Sequence, residues 1–415
     1  MKQKKILCLF DYVARTGFGT VSKNIVKEVK KHYGDNIKLD ILAINYFGPP
    51  YNEGEDYIIS ARLNDAQDDS YGRYFFLKTL QDSDDYDGIF IIQDIGVIVP
   101  FIEILQHIKA EKKEKNKKSF KSIFYFPVDC ELVYELTRNL EFFDVLVTYT
   151  EYARKEILKY KPELRTKLKV LPHGNNSKEY FQIESSDIAE YRKSYFGENA
   201  DKFIITNINR NQPRKDIPNS IFSFIEAKKE WNPNIPKPFL YLHCHPKDPM
   251  GWDLRGIMLQ TDLKEDIDYK LLPKEFEEQM METDEVNKIY NASDVYLTTT
   301  LGEGWGLGYS EAAACKIPII APYSTSFIEM SNYGKNAYMC ENLYPYCHTI
   351  DNVIRLQTDI YEVADNLKYV AEVKSGLHDG ALEQMELRIE NNYKWVKKLE
   401  WAEICKSWVE YFKIY

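Results

Sequence analysis

The sequence predicts an α/β protein built from two doubly wound domains. Short apolar runs rich in β-branched residues alternate with amphipathic stretches along the chain, which is the pattern of parallel sheets with crossover helices. The length of 415 residues exceeds what one ordinary core holds. Hydrophobic residues make up 44% of the chain and aromatic residues 14%, which is enough for packed cores and argues against disorder.

The first half of the chain has the strand and helix pattern of one such domain. Strands are predicted at residues 6–10, 38–44, 88–92, 122–126, 145–149 and 167–171, with helices at residues 20–31 and 151–160. Thr150 precedes the second of these helices and is predicted to be its N-cap.

The second half repeats the pattern. Strands are predicted at residues 203–207, 238–243, 294–298 and 318–320, and helices at residues 219–228, 282–291 and 309–315. The domains are therefore predicted at residues 1–176 and 177–385. Residues 386–415 are predicted to form a pair of C-terminal helices that packs back on the N-terminal domain.

Charge and cysteine content limit the classes of function. A net charge of −10 disfavours a general nucleic-acid-binding surface, although the lysine-rich stretch 109–121 leaves a local polyanion patch open beside a solvated helix end. Several of the seven cysteines lie in apolar runs, so we expect reduced, buried thiols and a cytoplasmic protein. The longest apolar window, residues 88–105, contains Asp94 and Glu103, so no transmembrane segment is predicted.

Candidate ligand-binding residues follow the strands of the N-terminal half. Ligands of open α/β sheets bind beyond the carboxyl ends of the strands. Gly17 and Gly19 of "TGFGT" follow the first strand and are consistent with either a tight turn or a phosphate contact. A dinucleotide fingerprint would need a third glycine where the chain has Ser22. Asp94, at the end of the strand 88–92, is a candidate contact for a second ligand.

Basic residues follow the first strand of the second half. Arg210 and Lys215 in "NRNQPRKD" lie just beyond the strand 203–207, with Arg214 adjacent. A fork-shaped guanidinium and a point-charge ammonium would neutralise a diphosphate, which carries about two negative charges. The alternative is a set of surface cations in a loop.

The stretch 301–318, "LGEGWGLGYSEAAACKIP", combines two glutamates with a glycine loop. The glycines leave amide groups at a predicted helix N-terminus, which suits phosphate or sugar oxygens. A phosphate would repel Glu303 and Glu311, so these acids are expected to accept hydrogen bonds from a sugar and from a ribose diol. The ligand that fits is both polyhydroxylated and anionic, as a nucleotide sugar is.

The stretch 290–322 resembles the signature segment of GT-B-fold retaining glycosyltransferases, in particular glycosyltransferase family 4. That family has two glutamates separated by seven residues. They occur in a segment that consists of a strand beginning with an aspartate, a glycine loop and an alanine-rich helix. Other stretches resemble family segments in the same order along the chain: "TGFGT", "YTEYARKEI", "LPHGNN", "NRNQPRKD" and "YLHCHPKDPMGWDL".

The resemblance implies a role for each matching position. Glu303 would contact the donor sugar and Glu311 the ribose. Arg210 and Lys215 would stabilise the departing diphosphate, with no cofactor and no metal if these cations suffice. Sugar hydroxyls or the distal phosphate would meet the amides of Gly304, Trp305, Gly306 and Leu307, and Gly17 and Gly19 would approach from the other domain.

Several positions keep two interpretations. Many relatives have a histidine after the strand in "SIFYFPVDC", where this chain has Asp129, which is either a sugar or acceptor contact or a helix cap. Trp305 is either a sugar platform or a core residue. His243 lies near the predicted nucleotide pocket or only packs there. Neither His243 with His245, nor Cys340 with Cys347 and His348, completes a metal ligand set.

The resemblance therefore implies a two-domain GT-B enzyme with a central cleft that closes on its substrates. It would move a hexose or a related sugar, with retention, from a UDP- or GDP-linked donor to a hydroxyl acceptor. The acceptor would be a saccharide, a lipid-linked compound or a modified nucleic acid, and Asp94 is the candidate residue of the acceptor site. The alternatives are a glycosyltransferase that modifies hydroxylated bases in DNA and a non-catalytic nucleotide-sugar-binding homologue.

Overall fold

The structure is a computed structural model that describes residues 3–61, 69–83, 85–278, 281–347 and 353–415. It divides into two compact units. Unit 1 consists of Met1–Gly174 and Trp401–Tyr415, and unit 2 consists of Asn175–Glu400.

Unit 1 is organised around a sheet to which eight strands of the described residues contribute, in the order β3-β4-β2-β1-β5-β6-β7-β8. All neighbouring strands are parallel except β3 and β4. The near-continuous apolar runs of β1 and β5 are buried, as expected for strands covered on both faces. The strands are β1 (Lys4–Asp11), β2 (Ile37–Ile44), β3 (Tyr51–Glu53), β4 (Asp56–Ser60), β5 (Gly88–Ile92), β6 (Lys121–Phe126), β7 (Val145–Thr148) and β8 (Leu168–Val170).

Helices connect these strands. Helix α1 buries Val21, Ile25 and Val29, which recur every four residues and so share one face. The predicted N-cap of α4 is confirmed, because the side chain of Thr150 accepts a hydrogen bond from the amide of Ala153 at 3.1 Å. The helices are α1 (Gly17–Tyr33), α2 (Arg73–Asp82), α3 (Val99–Glu114) and α4 (Glu151–Tyr160).

Unit 2 contains a second parallel sheet, with the order β11-β10-β9-β12-β13-β14 among the described strands. A separate antiparallel pair is formed by β15 and β16. The strands are β9 (Phe203–Ile208), β10 (Pro238–His243), β11 (Tyr269–Leu271), β12 (Val295–Leu297), β13 (Ile319–Pro322), β14 (Tyr338–Cys340), β15 (Asn342–Cys347) and β16 (Ile354–Thr358).

The helices of unit 2 flank this sheet. A core cluster that includes Ile205, Phe224, Leu240 and Leu367 joins the sheet to α6 and α12. The helices are α5 (Ser185–Phe196), α6 (Ile217–Lys229), α7 (Leu254–Met258), α8 (Glu275–Glu278), α9 (Thr283–Asn291), α10 (Leu307–Ala314), α11 (Thr325–Met330), α12 (Ile360–Lys374) and α13 (Ala381–Val396).

The last helix, α14 (Trp401–Phe412), belongs to unit 1. Trp408 is fully buried there, with its ring centroid 5.3 Å from that of Phe90, and Tyr33 Oη donates to the carbonyl of Val409 at 2.8 Å. The amphipathic pattern of residues 401–412 supplies the buried face.

The predicted limits of the C-terminal helix pair therefore need correction. We expected residues 386–415 to pack together on the N-terminal domain, but α13 belongs to unit 2. There Asn392 accepts a hydrogen bond from Tyr309 Oη at 3.1 Å, and Trp395 stacks on Trp305. The observed divisions fall after residues 174 and 400, where the prediction had 176 and 385.

Candidate active site

Unit 2 has a topological switch point between β9 and β12. The chain continues from β9 to β10 and β11 on one side of the sheet, and then places β12, β13 and β14 on the other side. The loops after neighbouring β9 and β12 therefore lie at the position where open α/β sheets bind ligands. These loops are residues 209–216 and 298–306.

Hydrogen bonds from one backbone amide and two threonine side chains join the two loops. The amide of Leu301 donates to the carbonyl of Arg214 at 2.8 Å, and Thr300 Oγ1 donates to the same carbonyl at 3.1 Å. Thr299 Oγ1 donates to the carbonyl of Asp216 at 2.9 Å. The short turn Pro213–Lys215 is consequently fixed against the start of the glycine loop.

Glu303 lies between two cations where these loops meet. Its Oε2 is 3.0 Å from Nη1 of Arg214, and its Oε1 accepts a hydrogen bond from the ammonium of Lys215. Burial by itself raises the pKa of the Glu303 carboxyl, but Arg214 and Lys215 outweigh burial and lower that pKa to about 2. Since only 5% of Glu303 is exposed, a charged carboxylate is held here with little access to water.

Arg210 does not join this group. Its side chain is 56% exposed, and its Nε donates to Oδ2 of Asp248 at 3.0 Å. The sequence reasoning paired Arg210 with Lys215 and mentioned Arg214 only as a neighbour. That pairing concerned a diphosphate and stays a prediction, while the contact that the structure adds is between the Arg214 guanidinium and Glu303. The sequence indicated Arg214 only through its position directly before Lys215. Which cation of the loop 209–216 contacts Glu303 depends on how the loop 298–306 packs against it.

The opposite side of Glu303 contacts the start of α11. The amide of Glu303 donates to Thr325 Oγ1 at 3.0 Å, and Ser326 Oγ donates to the carbonyl of Trp305 at 2.7 Å. Thr325 has φ of 46°, a left-handed conformation that is costly for a β-branched residue. Nothing in the local sequence indicated Thr325, because its partner is contributed by a distant loop.

The glycine loop leads into α10 through a tight approach. Gly306 has φ of 97° and precedes the helix, and a Cβ atom there would lie 2.4 Å from Cε1 of Phe327. The side chain of Trp305 is buried with its ring centroid 6.0 Å from that of Trp395, so it is a core residue. Gly304, Trp305, Gly306 and Leu307 form the segment that enters α10, so their amides lie at its N-terminal end.

Glu311 lies on α10 in a different electrostatic environment. Its Oε2 accepts a hydrogen bond from Tyr290 Oη at 2.8 Å, and Tyr180 makes a second hydrogen bond to the carboxyl. Burial raises the pKa of Glu311 to about 7, and the two tyrosine hydrogen bonds offset part of that rise. Glu303 and Glu311 are therefore two nearby acids with opposite pKa shifts.

His243 is the last residue of β10 and is paired with Ile208 of β9. Its Nδ1 lies 2.9 Å from Tyr241 Oη, and burial lowers its pKa to about 4, so the ring is neutral at pH 7. His243 therefore lies at the carboxyl edge of the sheet that contains the switch point.

The remaining predicted residues lie in unit 1. Thr16 caps α1 by accepting a hydrogen bond from the amide of Gly19 at 3.0 Å, and Thr16 also donates to Asp11. A Cβ atom on Gly19 would lie 2.1 Å from the carbonyl oxygen of Ala14, so the turn itself requires this glycine. Gly17 is the first residue of α1.

Asp94 and Asp129 follow neighbouring strands of the unit 1 sheet. Asp94 comes two residues after β5 and is exposed, and Asp129 comes three residues after β6 and is partly buried. Tyr149 contributes a buried hydroxyl that has no hydrogen-bond partner among the described residues. Burial and the charge of Asp94 both raise the pKa of that hydroxyl. Unit 1 thus presents acidic and hydroxyl groups at its carboxyl edge.

The described part of the chain contains no cluster of three or more His, Cys, Asp or Glu side chains suited to a metal ion. His348, one of the residues considered as a ligand, lies outside the described residues. Among the described helices, none has the length and apolar character needed to cross a membrane.

The chain is similar to several known proteins, although no model of a protein family matches it. It is 22% identical over 286 residues to a probable sucrose-phosphate synthase from Thermosipho melanesiensis, a match that covers 66% of this chain and 59% of the relative. It is 27% identical over 169 residues to the α-monoglucosyldiacylglycerol synthase of Acholeplasma laidlawii, covering 40% and 39%. The chain therefore spans less than two thirds of the length of these curated relatives.

A solved structure matches over nearly the whole chain. The Anabaena protein HepE, solved in complex with UDP and glucose, has a TM-score of 0.67 and 14% identity, with 99% of this chain and 100% of that chain covered. The α/β architecture with two large parallel sheets is the GT-B glycosyltransferase fold, which confirms the predicted fold class.

Proposed function

We propose that the protein is a retaining glycosyltransferase of family 4 that transfers a hexose from a nucleoside-diphosphate sugar to a hydroxyl acceptor. The observation that carries this proposal is the buried Glu303 carboxylate between Arg214 and Lys215 at the switch point of unit 2. A carboxylate beside cations and helix amides matches a ligand that has both hydroxyl groups and a diphosphate.

We assign the diphosphate to Lys215, Arg210 and the amides of the glycine loop. Glycosyl transfer places negative charge on the departing diphosphate, and fixed cations and donors at that point lower the barrier. The Nε of Arg210 bonds Asp248, and a guanidinium carries further N–H donors that suit phosphate oxygens. The α10 amides add the positive end of a helix dipole.

We assign the hydroxyl groups of the donor to the two glutamates. Glu303, ionised throughout the physiological pH range, would accept hydrogen bonds from the donor sugar and stabilise positive charge that develops there. Glu311 would accept from the ribose diol while Tyr290 holds its Oε2. His243, neutral at pH 7, would offer a ring nitrogen to the nucleotide without adding charge.

UDP-glucose is the first donor to test. The Anabaena protein with the same fold was solved with UDP and glucose, and the charge pattern described above suits any nucleoside diphosphate. A GDP-linked sugar is the second candidate. Since we assign Arg210 and Lys215 to the leaving group, we propose that the reaction needs no metal.

We propose that the acceptor is a hydroxyl compound recognised by unit 1. Asp94 is exposed at the carboxyl edge of the sheet, and a carboxylate there can accept a hydrogen bond from an acceptor hydroxyl. Asp129 and the loop with Gly17 and Gly19 lie at the same edge. The curated relatives are named for a phosphorylated sugar and for a glycolipid, so their names favour no single acceptor.

No observation favours the alternative in which the acceptor is a base in DNA. That alternative needed a basic groove from residues 112–121, but three of the lysines there pair with acids. Lys115 pairs with Glu111, Lys118 with Asp87 and Lys121 with Asp144. These pairs lower the excess positive charge that a polyanion would need.

The test is a panel of UDP-glucose, GDP-mannose and ADP-glucose, with binding measured by calorimetry and donor hydrolysis followed by proton NMR in the presence of EDTA. We expect binding of one donor and release of the α-anomer of its sugar first. Glu311→Ala should weaken nucleotide binding, and Glu303→Ala should mainly lower turnover. Failure of all three donors to bind, or release of the β-anomer first, would contradict the proposal.

A further inference from the structure

The group of Arg214, Lys215 and Glu303 contains two positive charges and one negative charge. Lys215 hydrogen-bonds the Glu303 carboxylate, so the fields of these two charges largely cancel at a neighbouring phosphate. An ion pair of Lys215 and Glu303 by itself would be electrically neutral. Within these three residues the second positive charge is that of Arg214. The charge of Lys215 also acts on a second acid, the Glu311 carboxyl.

Arg214 is fixed toward Glu303 at both ends of the residue. Its backbone carbonyl accepts hydrogen bonds from Leu301 and Thr300, and its Nη1 donates to the carbonyl of Gly302. The guanidinium therefore contacts the carboxylate where hydrogen bonds join the loops 209–216 and 298–306. Side-chain exposure is 24% for Arg214 and 7% for Glu303, so solvent screens the pair only weakly.

We propose that Arg214 is a positioning residue that offsets the charge of Glu303, so that Lys215 keeps more of its positive field for the donor diphosphate. This inference rests on the proposed function. It explains why a transferase could keep an acid for sugar hydroxyls directly beside a cation needed for phosphate. Without Arg214, the acid would hold Lys215 in a neutral pair and weaken the diphosphate site.

The rival explanation is that Arg214 only fastens the turn Pro213–Lys215 to the glycine loop. The two explanations differ in what removal of the Glu303 charge does. If Arg214 acts through charge, Glu303→Gln restores the diphosphate site of an Arg214→Gln protein. If Arg214 only holds the turn against the glycine loop, Glu303→Gln removes another contact and does not restore the affinity of the Arg214→Gln protein for a diphosphate.

The experiment measures affinities for UDP and for inorganic pyrophosphate by calorimetry. The proteins are the full-length wild type, Arg214→Gln, Arg214→Lys, Glu303→Gln and the double variant R214Q/E303Q. We expect Arg214→Gln to weaken both ligands by about tenfold, the scale of one charge-assisted contact. Arg214→Lys keeps the charge, so its affinities should stay within about threefold of the wild type, and those of the double variant should return to that range.

Lys229→Gln is the matched control. It removes one positive charge from the same unit at the far end of α6, where Lys229 is exposed and pairs only with Glu226 among the partners described. We expect no change in either affinity. If Arg214→Gln does not fold, Arg214→Lys still decides the question, because a tenfold loss in Arg214→Lys would show that fork geometry rather than charge matters and would overturn the inference.

The outcomes separate this inference from the proposed function. If UDP does not bind the wild type but pyrophosphate affinities follow the expected series, the proposed function fails and the charge role of Arg214 stands. If UDP binds the wild type and R214Q/E303Q stays as weak as Arg214→Gln, the charge role fails and the proposed function stands. If neither ligand binds the wild type, both are overturned.

Discussion

Glu311→Gln is predicted to stabilise the protein at alkaline pH while weakening its hold on the nucleotide. The substitution keeps the size of the side chain and removes its charge. The folded-state pKa of Glu311 is about 7, against 4.5 for the unfolded chain. The folded protein therefore binds this proton more tightly, and ionising Glu311 costs folding free energy.

The magnitude follows from that difference in pKa. Each pKa unit corresponds to about 1.4 kcal/mol, and because solvent reaches part of Glu311 we expect a cost of about 2 kcal/mol. The cost is absent below about pH 4.5 and complete once the pH has risen above about 7. Glu311→Gln should thus raise stability by about 2 kcal/mol at pH 8 and by well under half of that at pH 5.

The assay is urea unfolding of the wild type and Glu311→Gln at pH 5 and pH 8, followed by tryptophan fluorescence. Calorimetric titration with UDP accompanies it, because a neutral amide accepts hydrogen bonds from a ribose diol less well than a carboxylate does. Wild-type UDP affinity should itself rise as the pH passes through about 7. Equal stabilisation at both pH values, or a loss of stability at pH 8, would refute the account of Glu311 as a partly buried acid with a raised pKa.

Two further substitutions test the neighbouring features. Glu303→Gln should have the opposite effect on stability, because Arg214 and Lys215 lower the pKa of Glu303 from 4.5 to about 2. The substitution should lower the free energy of unfolding by about 3 kcal/mol at pH 7. Urea unfolding should show this difference shrinking as the pH falls from about 4.5 toward 2. A difference that is constant with pH would argue against the ion pairs. Gly19→Ala should lower the free energy of unfolding by about 2 kcal/mol, because its Cβ would lie 2.1 Å from the Ala14 carbonyl oxygen. Gly96→Ala is its control, with the nearest atom at 3.8 Å, and similar effects of the two on thermal unfolding would contradict the steric explanation.

The positions of the main strands and helices could be predicted from the sequence because they depend on local patterns. The strand predicted at residues 88–92 and the helix at 151–160 match β5 and α4 in both bounds. Other strands were missed, among them β11 and β14, which are three residues long. Their positions depend on pairing with β10 and β13.

The end of the chain also shows the difference between what a local pattern predicts and what tertiary packing decides. Residues 381–412 have helical patterns throughout, and helices were predicted over residues 386–415. Which unit each helix joins is decided by the surfaces that bury Trp395 and Trp408. A helical pattern identifies an apolar face but does not say which core covers it.

The sequence by itself determined the α/β class, the glycine loop and the two glutamates that the proposed function uses. Only the tertiary structure decided that Arg214 contacts Glu303, and that Glu303 and Glu311 have opposite pKa shifts. The physical reason is distance along the chain: Lys215 and Glu303 are 88 positions apart. A carboxyl's pKa depends on every charge and buried surface around it, and those neighbours are set by how the loops of separate strands meet.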